Sequence, residues 1–244
     1  MKKSVILLLV FIAADIAFAC SACSMRNRHN FSQNEGFAFS AGIEVGAENI
    51  NGDREPYIGT LLNYDEALLG GKLDIYLGFG YFHEFVKKRN ADGDEVFPKT
   101  ITLDAGFAYN LDLRKTSTLS LILESNTDFR LAPRRNNRSL LSPGIKFTET
   151  VSAGDIYTQF GLPIHLANGA LDGAITLGWI SNFGLGISAD TEFNLSPNTA
   201  WARKMGATLS YSFEKISIYT HCFFKNIGNN NISINPSIGF VFSF

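Results

Sequence analysis

Residues Thr100 to Leu111 read TITLDAGFAYNL. Ile101, Leu103, Ala105, Phe107, Tyr109 and Leu111 occupy every second position. Thr100, Thr102, Asp104, Gly106, Ala108 and Asn110 fill those between. Successive side chains of a strand point to opposite faces, while a helical face repeats every 3.6 residues. This stretch is therefore a strand with one apolar, aromatic face and one small, polar, acidic face. KLDIYLGFGYF (72–82) repeats the pattern upstream, with Leu73, Ile75, Leu77, Phe79 and Tyr81 against Lys72, Asp74, Tyr76, Gly78 and Gly80. FGLGISADTEFNL (183–195) repeats it downstream, and no segment sustains a helical period.

Twelve such segments follow one another, at 36–47, 56–65, 71–85, 98–111, 117–128, 141–151, 155–166, 170–181, 183–195, 203–213, 216–226 and 232–244. Their spacing of about 17 residues suits strands long enough to cross a bilayer at a tilt, with turns between. Sandwich strands recur at shorter spacing. The connections alternate in character. AENINGDRE, VKKRNADGDEV, RLAPRRNNRSLL, LANGA, SPNTAWARK and NIGNNN are polar or long; DEALLGG, LRKTS, SAG, SNF and EK are shorter. An even strand number with both ends on one side puts the longer set on one rim. Ten strands is the alternative, if 56–65 and 141–151 are not strands. Pro143, Pro163 and Pro236 fall in or near these segments. A closed barrel has no edge strand to accommodate a missing N–H, so each is expected at a bulge or near a strand end.

The first 19 residues have a Lys2-Lys3 start, an apolar stretch from Val5 and a small-residue ending at Ala17-Phe18-Ala19. They read as a secretory signal peptide. Cleavage there would expose Cys20, a possible lipidation site, although AFAC lacks the leucine such a site prefers. Residues 20–35 read as a polar linker, and 36–244 as one domain. Cys20, Cys23 and Cys222 offer no disulfide framework. After the signal no apolar run reaches the roughly 18 residues of a transmembrane helix, so a membrane-spanning fold would have to be a barrel. The net charge of -2 supplies no global field for nucleic acid. The 21 Phe and 22 Gly suit an all-β chain with exposed rings and tight turns.

The end of the chain, SIGFVFSF (237–244), sets Ile238, Phe240, Phe242 and Phe244 against Ser237, Gly239, Val241 and Ser243. With the signal and the strands throughout, this resembles the bacterial outer-membrane β-barrel class, over roughly 36–244. The resemblance implies an up-and-down antiparallel barrel in outer-membrane lipid. It also implies an assembly machinery that reads the alternating last strand and its terminal aromatic. A secreted β-sandwich is the alternative fold.

If the apolar faces meet lipid, the charged residues must face inward, because Arg or Lys at the midplane costs about 2–4 kcal/mol. The candidates for the lumen and its selectivity are Asp74, Glu84, Asp104, Glu124, Lys146, Asp190, Glu192, Lys204 and His221. Acids predominate, which favours cations in an open pore; in a filled interior the same charges would pair with one another. Lys87, Lys88, Arg89, Arg130, Arg134, Arg135 and Arg138 form basic loops that suit anionic head groups or polysaccharide. Tyr81, Tyr109, Trp179 and Trp201 are expected in interfacial girdles. Outer-membrane lipases are similar in architecture and pair His with Ser two residues on. His29, His83, His165 and His221 lack that serine, so no enzyme is expected. No metal or cofactor is expected either. The leading function is a narrow porin-like channel for small solutes, cations among them. A binding or adhesion barrel working through its external loops is the alternative.

Overall fold

Alternating strands leave every backbone N–H and C=O of their edges to be paired, and in lipid no water can do it. The computed structural model shows how this chain satisfies them. It describes residues 37–50, 53–89, 92–132, 138–195, 204–225 and 233–244. The signal-peptide, linker and Cys20 readings, together with Arg134, Arg135 and Trp201, lie outside the described residues.

Twelve long strands are present among the described residues: β1 (Phe37–Ile50), β2 (Asp53–Leu68), β3 (Leu73–Glu84), β4 (Lys99–Arg114), β5 (Ser117–Ala132), β6 (Arg138–Val151), β7 (Gly154–Gly161), β8 (Asp172–Ser181), β9 (Leu185–Asn194), β10 (Lys204–Phe213), β11 (Ile216–Lys225) and β12 (Ser233–Ser243). Each pairs antiparallel with the next, and β12 pairs with β1 from Ser40↔Ser243 to Gly46↔Ser237. The sheet is a closed up-and-down barrel. Phe244 adds a backbone bond to the Phe39 carbonyl at 2.8 Å, and the two rings sit 6.1 Å apart.

Several strands outrun their apolar pattern. The stretch expected as a long polar loop, AENINGDRE, mostly continues the ladder as Ala47↔Pro56, Glu48↔Glu55, Asn49↔Arg54 and Ile50↔Asp53. Likewise β5 extends to Ala132 and β6 resumes at Arg138. Backbone pairing needs no apolar side chain, so the ladder rises beyond the lipid-depth belt that hydropathy detects. Conversely, 155–166 is shorter than expected. Strand β7 stops at Gly161, and only Ile164 and His165 pair again, with Leu141 and Leu140.

The prolines follow the ladders rather than the strand ends. Pro143 is the sixth residue of β6, and Pro236 the fourth of β12. Pro143 accepts from the Leu162 N–H, just past the end of β7, so its missing donor faces a flank where the ladder has stopped. Pro236 lies one residue beyond the last β1 pairing. Pro163 lies outside the strands.

Alternation in exposure defines the two faces. Leu77 (53% exposed), Leu103 and Phe107 point outward, as do Ile145, Phe160 and Leu177. So continuous an apolar belt is a liability in water and a requirement in lipid. Tyr81, Tyr109 and Trp179 share this outer face. Facing inward are Glu44, Thr102, Asn126, Ser188, His221 and Asn235, all buried. The connections after β2, β4, β6, β8 and β10 make a short-turn rim that also carries both ends of the described chain. At two of these turns a side chain has no room. A Cβ at Gly154 (φ +138°) would meet the Ile180 carbonyl oxygen at 2.0 Å, and one at Gly184 (φ +90°) the Ser212 oxygen at 2.1 Å. The remaining connections form the loop rim.

Candidate functional site

The interior is built from rings laid over glycines. A Cβ on Gly46 would come within 2.6 Å of the Tyr57 ring, on Gly206 within 2.4 Å of Phe223, and on Gly239 within 2.2 Å of Tyr219. Gly59, Gly106 and Gly178 lie under Phe82, Tyr76 and Tyr157 in the same way. The inward glycines thus create flat beds that let aromatic rings lie along the wall instead of blocking the lumen.

At the closing seam these rings hold a carboxylate. Glu44 is 0% exposed. Its Oε1 accepts from the Tyr57 hydroxyl at 2.8 Å and its Oε2 from the Tyr219 hydroxyl at 2.5 Å. A charge out of water needs such donors. The cluster ties β1 to β2 on one side and to β11, across β12, on the other.

The residues expected in the lumen have inward positions by register, but they separate into groups. Glu124, Asp190, Glu192 and Lys204 surround one cavity of about 40 Å³, together with Ser142, Gln159, Thr176 and Phe223. This volume holds a few waters. Lys204 Nζ lies 3.3 Å from Glu192 Oε1 and 3.9 Å from the centre of the Phe223 ring. Lys146 Nζ lies 4.8 Å from the centre of the Tyr157 ring, with Glu124, Asp74 and Asp155 as its charged neighbours. Asp104 accepts from Asn126, and Asp74 from Asn110 at 2.7 Å. His221 is 1% exposed, bonded to Thr208, and its ring centre lies 3.7 Å from that of Phe223, tilted by 50°. It does not line the cavity.

Glu84 belongs to the loop rim. Lys88 folds down from the loop to meet Glu84 at 2.9 Å and Glu55 at 2.5 Å. Lys88, expected on a basic outer surface, therefore neutralises inward carboxylates instead. Burial works against its charge, yet the bonds to Glu55 and Glu84 hold its pKa above the ordinary lysine value. Lys87 lies 3.6 Å from Glu95. Arg89, Arg130 and Arg138 are exposed at the rim.

The sequence reading missed Glu55, Tyr57, Tyr219 and Phe223. Each sits opposite a glycine or a charge on another strand, and strand register is what brings them together. The available signal was the frequency of glycine on the inward face.

No protein-family profile matches the chain, and no curated protein matches it in sequence. Its fold does have solved counterparts. The translocator domain of the autotransporter NalP from Neisseria meningitidis superposes with a TM-score of 0.54 at 14% identity, covering 90% of this chain and 94% of that one. Outer membrane phospholipase A from Escherichia coli gives 0.51 at 12% identity, covering 85% and 92%. The KdgM porin gives 0.50 at 8% identity, covering 85% and 99%. At these identities the likeness is one of architecture, shared by proteins of differing roles: the chain has the fold of the bacterial outer-membrane β-barrels.

Proposed function

We propose that this protein is a narrow channel in the bacterial outer membrane, with its loop rim outside and its short-turn rim towards the periplasm. The observation that carries this reading is the acid-lined cavity between Glu124, Asp190 and Glu192, with Lys204 as the one base among its lining residues. Carboxylates beside water inside a membrane favour small cations and reject anions. The tight packing around it limits passage to small solutes. The apolar belt meets lipid, and the alternating strand β12 is the handle for the barrel assembly machinery. Hydrolysis is not part of the proposal: the residues two past His83, His165 and His221 are Phe85, Ala167 and Phe223.

Planar-bilayer recording of the folded barrel tests this. Small, cation-preferring conductance steps are expected. A barrel that inserts and conducts nothing would sink the channel. It would favour the second reading, a binding surface built from the rim loops, for which the exposed Arg89, Arg130 and Arg138 speak.

A further inference from the structure

The cavity wall has a chemistry more specific than negative charge. The Lys204 ammonium rests 3.9 Å above the face of Phe223 and 3.3 Å from the Glu192 carboxylate. Asp190 reaches the same place, since a Cβ on Gly206, the glycine under the Phe223 ring, would also lie 2.8 Å from an Asp190 oxygen. An aromatic face plus carboxylates is the arrangement that recognises an organic ammonium, attracting it through the ring quadrupole and accepting its N–H bonds. The pattern recurs beside the same cavity, where Lys146 lies over Tyr157 near Glu124. In both places the cation is the protein's own.

We propose that Phe223, Glu192 and Asp190 form a binding site for small primary ammonium ions, occupied by the tethered Lys204 ammonium. This deepens the channel reading and rests on it, for it makes primary amines the solute class. A tethered group competes at high effective concentration, so a free amine must displace Lys204 to bind. Lys204 is then a built-in competitor that sets how tightly a passing amine is held.

The test is ethylammonium binding to the folded full-length barrel in detergent, read by calorimetry, with sodium at equal ionic strength as control. Lys204→Met removes the competitor and keeps the side-chain length. K204M is expected to bind ethylammonium about tenfold more tightly than the unaltered protein, and adding Phe223→Leu to lose about that factor again. Equal affinity in both barrels, absence of binding to K204M, or equal binding of sodium would each overturn the site. If K204M fails to show the heat-modifiable gel mobility of a folded barrel, Lys204→Ser carries the same comparison. Conductance is measured separately. Binding without conductance steps keeps the site and removes the channel; steps without binding do the reverse.

Discussion

At the residue scale, the telling group is Glu44, a carboxylate with no solvent access and two tyrosine donors. Tyr219→Phe removes the 2.5 Å bond to this buried carboxylate. Hydrogen bonds to charged groups contribute about 1.5–3 kcal/mol, so a loss of that order is expected in urea unfolding from lipid vesicles. An unchanged midpoint would show that the seam does not depend on this bond. Gly239 gives a second test. The Tyr219 ring lies where its Cβ would be, at 2.2 Å, so Gly239→Ala must push the ring aside and disturb the same bond. Its urea midpoint should fall with that of Y219F, and the double variant should lose less than the sum, since both act on one contact.

At the element scale, the strands carry two messages on two faces. Leu103 on β4 points outward among the apolar belt. Leu103→Arg is expected to cost about 2–4 kcal/mol if it lies near the bilayer midplane. Thr102→Arg, one residue away and inward, should instead disturb the Thr102–Asp128 hydrogen bond of 2.9 Å without meeting lipid. Comparing both in vesicles of differing thickness separates them, for only the Leu103 variant should respond to thickness. The prolines teach a related point. A missing N–H is tolerated mid-strand at Pro143 because the neighbouring β7 has already ended on that flank. Sequence position within a strand was the wrong measure, because what matters is where each neighbour's ladder stops.

At the scale of the whole molecule, closure makes the interior a place where acids from distant segments meet. Glu124 comes from β5, Asp190 and Glu192 from β9 and Lys204 from β10. Replacing Glu124 with Gln and Asp190 with Asn should reduce cation preference, read as a reversal-potential shift towards zero across a salt gradient. Asp104→Asn makes a comparison, because Asp104 is bonded to Asn126 and does not line the cavity. Its effect on the reversal potential should be smaller. If all three act alike, the cavity is not the selective segment.

Twelve strands as the leading count, two alternating rims and the lipid-facing side were legible along the chain. These follow from a period of two and from the cost of charge in hydrocarbon, both local along the chain. Arg134, Arg135 and Cys20 stay as the sequence reads them, outside the described residues. Tertiary structure decided the partners. Tyr57 and Tyr219 are 162 residues apart (219 − 57), and only register across the β12–β1 seam brings both to Glu44. Lys88 is basic in any reading of its loop, yet its ion pairs with Glu55 and Glu84 turn it into the rim. Patterning reports what faces which way. What each side chain meets there depends on strands far off in sequence, and closure of the barrel fixes it.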